Sequence, residues 1–482
     1  KEFLEQYGTL YHHYALDEWI WKTDYTHDVL QKHFDVVSLK GFGIGGMEAA
    51  IIAAGAAFHY VSDTRQDQLK HVSGISRIEE NNYVWLDRFT IRNLELISSP
   101  NEKAVTLLDV TDKSVTPMGG RLLKRWLVLP LKDVKAIEER LEAVNYLLHH
   151  HEFRERTSQH LKHVGDLERL ISKVALGKAN PRDIQQLQRS LDLVDKIKKE
   201  CTQADNQSVR VIADQLNACA VIRDRILKSL HADPPVMLNK GMVINEGVSK
   251  DLDELRQVAY HGKDYLLQLQ KREAERTGIG SLKVAFNNVF GYYIEVTHAH
   301  KHKVPADWHR KQTLTNAERY ITEELKQYEE KILGAEEKIL ALETMLFNEL
   351  VKSVFEYIKP IQHNAALLAR LDCLCCFAEV AAQNDYVRPQ VNDSKVIDVK
   401  NVRHAGIEKN LPPGEKYIAN DIYLDTETQQ VLMITGPNMS GKSALLRQTA
   451  LIVLLAQTGS FVPASSASIG IVDKIFSRVG AS

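Results

Sequence analysis

The stretch Gln430–Thr458, QVLMITGPNMSGKSALLRQTALIVLLAQT, decides how the last part of the chain folds. Gln430–Thr435 reads as an apolar strand and Ala444–Leu455 as an apolar helix. Between them stand Gly436, Pro437, Asn438, Met439, Ser440, Gly441, Lys442 and Ser443. This is G-x-x-x-x-G-K-S in the strand–loop–helix setting that a phosphate loop requires. Gly436 and Gly441 let the backbone curl until its N–H groups point at a β-phosphate. Lys442 then sets a cation between the β- and γ-phosphates, and the Ser443 hydroxyl offers a ligand to Mg²⁺. The helix N-terminus adds a dipole that favours an anion. A chance match somewhere in 482 residues has a probability on the order of 1%. ATP or ADP with Mg²⁺ is the expected cofactor.

Hydrolysis needs more than binding. An acidic pair ending a later strand has to hold Mg²⁺ and the attacking water. Downstream of Ser443 the one candidate is Ile469–Val472, which ends in Asp473 but continues with Lys474. It reads as a structural strand, so no catalytic residue is assigned and ATP turnover by this chain is expected to be weak or absent.

Upstream lies a second pattern. Leu252, Leu255, Ala259, Gly262, Leu266 and Leu269 step by alternating three and four residues, and so do Leu325, Tyr328, Ile332, Ala335, Ile339, Leu342 and Leu346. Both are coiled-coil seams of period 3.5. Between them the period drops to two. Leu282–Phe286 and Tyr292–Val296 flank a turn centred on Asn287–Gly291, which signals a hairpin. One long helix goes out, a β-rich tip is built, and another helix returns. From Lys271 to Arg319 nine Lys or Arg face five acids, a local balance of +4. A basic, aromatic tip suits gripping a phosphate backbone without reading bases. An ordinary solvated surface is the equal alternative from charge alone.

The remainder is helical or mixed. Residues 91–260 read as helices broken at Pro117, Pro130, Pro181 and Pro234–Pro235. His149–His151 reads as a solvated helix end. In residues 1–88, Asp35–Leu39 and Tyr83–Leu86 read as strands, and the Gly41–Gly46 turn leads to an Ala-rich helix, Met47–Ala57. That suggests a small α/β domain. Hydrophobic content of 44% and charged content of 26% are those of a packed globular chain. With 61 Lys plus Arg against 63 Asp plus Glu, net charge names no partner. No apolar run reaches membrane-spanning length. Five cysteines without a secretion signal read as reduced thiols in a cytoplasmic protein. Cys373 and Cys376 read as buried helix thiols rather than zinc ligands.

Several stretches together are similar to one family. MITGPNMSGKSALLRQTALIVLLAQTGSFVPA and the ending IFSRVGAS closely resemble the bacterial MutS family of mismatch-repair proteins. So do TPMGGRLLKRWLVLPL (Thr116–Leu131), FNNVFGYYIEVT with QTLTNAERY (Phe286–Tyr320), and LKGFGI (Leu39–Ile44). The resemblance implies a multi-domain α and α/β protein. An RNase H-like α/β connector would occupy residues 1–88, and an all-α lever or core residues 89–266 and 326–385. A β-rich clamp would be inserted at 267–325, and part of an ABC-type P-loop ATPase domain would occupy 386–482. It implies a homodimeric ring on double-stranded DNA that senses mispaired or looped-out bases. Nucleotide state would drive a sliding clamp and recruitment of MutL, in a bacterial, nucleoid-associated setting.

Carried over to this chain, the resemblance makes Tyr417, in KYIAND, the aromatic that stacks on adenine. Clamp contacts to DNA phosphates would come from Lys283, Asn288, Lys301, Lys303, Arg310 and Lys311. The chain also departs from the family. Ser440 and Ala444 replace a glycine and a threonine without removing a phosphate or Mg²⁺ group. Arg403-His404-Ala405-Gly406 lacks the usual proline and aliphatic residue, which is expected to loosen the approach to the ATPase domain. Phe3-Leu4-Glu5 and Phe347-Asn348-Glu349 match the mismatch-reading Phe-x-Glu only in spacing. That reading domain, the acidic Mg²⁺ motif and the segment that reaches the partner's nucleotide site are expected to be absent. Two alternatives remain. A non-catalytic, nucleotide-controlled bridging paralogue would differ in the acidic pair, and a chromosome-organising ATPase would place its phosphate loop before the coiled coil.

Overall fold

The computed structural model describes residues 15–478 apart from 66–68, 70, 71, 73, 76, 100, 102, 103, 288–290, 413 and 438–440. Helices α1 (Thr23–Phe34) and α2 (Glu48–Arg65) come first, then strand β1 (Trp85–Leu86). A helical run follows: α3 (Arg88–Asn93), α4 (Leu107–Thr111), α5 (Pro117–Val128), α6 (Val134–His149) and α7 (His151–His163). It continues through α8 (Leu167–Ala175), α9 (Pro181–Thr202), α10 (Gln207–Gln215) and α11 (Ala220–Ser229). Helix α12 (Lys250–Thr277) leads to strands β2 (Lys283–Asn287), β3 (Gly291–Thr297), β4 (His309–Thr313) and β5 (Ala317–Ile321). Helix α13 (Glu323–Val354) leads back to α14 (Ile358–Asn384). Strands β6 (Gln390–Asn392) and β7 (Ile397–Val402), α15 (Ala405–Asn410), β8 (Asn420–Leu424), α16 (Lys442–Thr458), β9 (Ser466–Gly470) and β10 (Lys474–Ile475) follow. The helical breaks fall where proline demanded them. Pro117 and Pro181 open α5 and α9, where a missing N–H costs nothing.

The chain forms two compact units. One comprises residues 1–178, 189–220 and 356–482, the other 179–188 and 221–355. The first is built around α14, whose residues are buried on nearly every side from Ile361 to Ala381. Such all-round burial marks a central core helix. It packs on α5, α6 and α8, with Trp126 and Phe377 rings 6.0 Å apart. Cys373, Cys375 and Cys376 lie inside this core as free thiols, and burial drives all three thiol pKa values up. His149 closes α6 and His151 opens α7. Both are exposed, in keeping with a solvated helix end.

In the same unit β6, β9, β7 and β8 form one mixed sheet in that order, with β6 parallel to β9 and the other pairs antiparallel. The predicted strand near Ile469 is therefore present as β9. It ends at Gly470, before Val472 and Asp473.

Three sequence expectations fail here. Asp35–Leu39 is not a strand. Asp35 closes α1 in the left-handed region (φ 52°), Gln31 donates to the Val37 carbonyl at 2.7 Å, and Ser38 caps a short 3₁₀ turn. Local bonds satisfy the backbone that a neighbouring strand would have to satisfy. Tyr83–Leu86 is β structure in part, as the bridge at Tyr83 and strand β1, but its partners lie outside residues 1–88, so the small α/β domain expected there is the second failure. Tyr83 bridges Leu131, and β1 pairs in parallel with β10. Among the described residues of 15–82 no strand occurs, so the α/β character expected for 1–88 does not appear there. The third failure, at residues 430–435, belongs to the site below.

The second unit holds the two predicted rods. At about 1.5 Å per residue, α12 and α13 run roughly 42 and 48 Å. They lie side by side in opposite directions, with Tyr265 stacked on Tyr328 at 3.6 Å. Leu252, Ala259, Leu266 and Leu269 are buried along one seam, and Leu325, Ile332 and Ala335 along the other. Beyond Ala335 the buried row is Glu343, Phe347 and Leu350 rather than Leu342 and Leu346. A straight helix of 3.6 residues per turn drifts off a 3.5 repeat, and the seam moves with it.

At the far end β2, β3, β5 and β4 make an antiparallel sheet. The hairpin register runs from Lys283 opposite Glu295 to Asn287 opposite Gly291. Leu266, Leu269, Ile279, Ile294, Trp308, Tyr320, Leu325 and Ile332 share one core, so the tip and the ends of both rods fold together.

Candidate functional site

Helix α16 begins at Lys442. Its N-cap is Gly441 at φ 86°, a conformation that a side chain would strain, and no side chain caps the helix. The first-turn N–H groups therefore keep their capacity for an anion. The Lys442 ammonium donates to the carbonyls of Gly436 and of Pro437, the latter at 3.0 Å, so the cation sits over the loop. Ser443 is exposed in the first turn. Asn438, Met439 and Ser440 lie outside the described residues. Residues 430–435 form no strand. Val431 is 80% and Met433 86% exposed, and among the described residues no strand lies alongside to take their backbone bonds. An apolar run becomes a strand only when an edge receives it.

Tyr417 is half-buried just ahead of β8. Its hydroxyl donates to Gln448 Oε1 at 2.8 Å, and burial pushes the phenol pKa up. Gln448 is buried two turns into α16, so the candidate adenine reader and the phosphate-loop helix are joined directly. The far end of α16 is tied more firmly still. Arg140 of α6 lies over the Trp126 ring at 3.6 Å and donates to the Thr458 carbonyl at 2.7 Å, a cation at a helix C-terminus. Gln457 donates to the Leu131 carbonyl at 2.8 Å and accepts from the Val472 N–H at 3.0 Å. Sequence reading missed Arg140, Gln448 and Gln457. Local pattern marked none of them: Gln448 is 31 residues from Tyr417, and Arg140 is 318 residues from its partner.

Arg403–Gly406 is held tightly, contrary to the loosening expected there. Arg403 donates to Glu408 at 2.8 Å and to the carbonyls of Asn384 and Asp385 at 2.9 and 3.0 Å. A Cβ on Gly406 would meet the Val105 carbonyl oxygen at 2.7 Å, so glycine answers a close backbone approach. His404 is buried and caps α15, its Nδ1 accepting the Ile407 N–H at 3.3 Å. That bond requires the neutral ring.

Burial, reinforced by Arg447, lowers the His404 pKa to about 4 from 6.5. Between those values the unfolded chain binds a proton that the folded one refuses. Stability is therefore full above pH 6.5 and falls as pH drops toward 4. Thermal unfolding followed by circular dichroism should lose on the order of 1–3 kcal/mol across that window through this group. His404→Asn keeps a capping acceptor and should flatten the slope; an identical slope in the variant would reject the assignment.

The tip carries the candidate DNA contacts. Lys301 pairs with the buried Glu318 at 2.6 Å, Arg310 approaches the same carboxylate at 3.7 Å, and Lys303 donates to the Gly278 carbonyl at 3.3 Å. Arg319 pairs with Glu295, Arg276 with Glu273 and Asp307, and Arg272 with Glu324. The local +4 is thus largely spent inside the tip. Lys283, on edge strand β2, makes no ion pair among the described residues. Lys311 is the extra residue of a bulge in the opposite edge strand β4, between Arg310 and Gln312. Bulges re-aim a side chain outward. Asn288 lies outside the described residues, as does Phe3-Leu4-Glu5, whereas Phe347 is a core residue of α13.

Comparison with known proteins gives the same family on two segments. The model of MutS domain III matches residues 89–378 and that of MutS domain V residues 432–482. The chain is 58% identical over 482 residues to the DNA mismatch repair protein MutS of Parabacteroides distasonis, which covers all of the chain and 55% of that protein. It is 57% identical over 480 residues to the one of Bacteroides fragilis, 56% of whose length is covered. The chain spans about half the length of the curated relatives it matches. Among the described residues no helix is long and apolar enough to cross a membrane.

Proposed function

The chain belongs to the MutS family, and from that premise we propose that it is part of an ATP-binding DNA clamp that initiates mismatch repair in a bacterial cytoplasm. The observation that carries this reading is the placement of α16, open at its first turn and anchored at its last. Its first turn presents Lys442 and Ser443 around uncapped N–H groups, and its last turn is bonded to α6 and to the α5–α6 connection. A ligand held at the open end therefore pulls on a rigid helix whose other end is bonded to the helical core.

ATP or ADP with Mg²⁺ fits this donor set, with the N–H groups and Lys442 on the phosphates, Ser443 on the metal and Tyr417 on the base. Bound Mg²⁺ would neutralise the charge between the β- and γ-phosphates. The residues of the chain bind and orient: Gln448 fixes Tyr417, and Arg140 fixes the helix that carries the loop. The rest of the reading is a homodimer on double-stranded DNA, nucleotide-driven sliding, and engagement of MutL. The family supports it.

Phosphate contact through the tip is testable. Fluorescence anisotropy with a labelled duplex, titrated between about 50 and 200 mM salt, should give a log–log slope reduced by about 1.8 in Lys283→Gln/Lys311→Gln. Matched and mismatched duplexes should bind alike, because backbone contacts read no base. An unchanged slope, or a strong preference for the mismatch, would refute the assignment.

A further inference from the structure

A cleft of about 1090 Å³ opens between α12, α13 and the loop of residues 239–247, wholly inside the second unit and away from the tip. Neither the nucleotide reading nor the DNA reading uses it. Its floor is charged. Glu343 is fully buried, and its Oε1 accepts from the Val243 N–H at 3.2 Å and from Arg256 at 2.5 Å. Its Oε2 has no hydrogen-bond partner. Beside it Asp253 accepts the Gly247 N–H at 2.9 Å through one oxygen, while the other, buried and without a hydrogen bond, lies 3.7 Å from Arg256 Nη1 in an ion pair. Arg256 spends one guanidinium nitrogen on Glu343 and the Ile244 carbonyl, and its Nη1 makes no hydrogen bond, only the ion pair to Asp253.

A buried carboxylate oxygen left without a donor is costly, so an orphaned one calls for a donor from outside the fold. Arg256 pairs with both acids yet leaves Glu343 Oε2 without a donor. Glu246, Glu336 and Glu337 add three carboxylates to the lining and Lys240 one cation, leaving a formal balance of −3. The walls are apolar: Tyr260, Met242 and Leu340 line the cleft and are substantially exposed.

We propose that this cleft binds an organic cation, a primary ammonium or guanidinium group on an aliphatic stem. Its donors satisfy Glu343 Oε2, and its stem lies on Tyr260 and Leu340. Ammonium and guanidinium groups bring several N–H donors on one charge, which suits an orphaned carboxylate oxygen and an acidic rim. Bare metal ions fit less well, because the apolar wall offers them nothing. A free polyamine and the side chain of a basic peptide share this chemistry, and the experiment separates them.

Isothermal titration of the full chain, without DNA or nucleotide, would use spermidine in one arm and a capped tripeptide centred on arginine in the other. Saturable one-site binding of either probe is expected, weakened at least tenfold in Glu246→Gln/Glu337→Gln. Both of those side chains are exposed, so the fold should persist. Glu343→Gln should abolish binding where circular dichroism shows that it folds. Spermidine alone binding would identify a small-molecule site, and the peptide alone a side-chain pocket; either supports the proposal. Non-saturable uptake of both probes, or equal affinity in wild type and the rim variant, would overturn it.

Discussion

Lys442→Ala is expected to weaken ATP binding by about 100-fold or more, equivalent to roughly 3 kcal/mol, with almost no change in stability. The separation of the two effects follows from where the ammonium sits. Among the described residues it bonds the carbonyls of Gly436 and Pro437 at the surface, so its loss uncovers no buried group there, and the folding cost should stay within about 0.5 kcal/mol. With ATP bound, the same ammonium is required by charges that no other described residue of the loop balances. Titration with a fluorescent ATP analogue and urea unfolding of the same preparations check both halves. Equal affinity in the variant would remove the nucleotide site from the reading. A large stability loss would show that Lys442 supports the fold instead.

How much of this was legible depended on distance along the chain. The phosphate loop was readable because its eight residues are consecutive and each type has a chemical reason. Its strand was misread, since Val431 and Met433 are apolar in sequence yet need an edge beside them that local pattern does not supply. The rods were legible through Leu252–Leu269 and Leu325–Ala335, and the hairpin through its alternation. What the pattern hid was Glu343. It reads as one more glutamate on an acidic helix, yet it is buried against Arg256, 87 residues away in sequence.

Charge misled in the same manner. Lys301 and Arg310 count toward a basic tip until the fold turns both on Glu318. Composition sums charges, whereas binding sees only those the fold leaves unspent. Asp35–Leu39 failed for another reason. Five residues with β-branched content fit a strand, but an Asp able to enter the left-handed region and a capping serine offered the backbone a local solution.

Gly119→Ala should destabilise the first unit by about 3–5 kcal/mol, a loss reserved for a forced displacement in a closed core. A Cβ on Gly119 would stand 2.2 Å from Asp372 Oδ2. That carboxylate is 1% exposed and cannot swing aside, because it accepts from Val115 N–H at 3.1 Å, Thr116 N–H at 2.8 Å and Thr116 Oγ1 at 2.6 Å. These bonds oppose the burial that raises its pKa, and they hold Thr116, whose hydroxyl caps α5 by accepting the Gly119 N–H at 2.9 Å. The methyl therefore presses on the acid that fixes its own helix cap. Moving Asp372 would strand two backbone donors, and moving α5 away from α14 would open the core at Trp126 and Phe377. Asp372→Asn is the companion test. It keeps the shape but turns an amide donor toward donors, so about 1–3 kcal/mol should go without any steric push. Urea midpoints at constant slope measure both. A Gly119→Ala chain within 1 kcal/mol of wild type would mean that α5 and α14 lie farther apart than 2.2 Å implies. Because α5 runs on to α6, whose Arg140 holds the end of α16, the same variant should also weaken nucleotide binding, although it lies outside the phosphate loop.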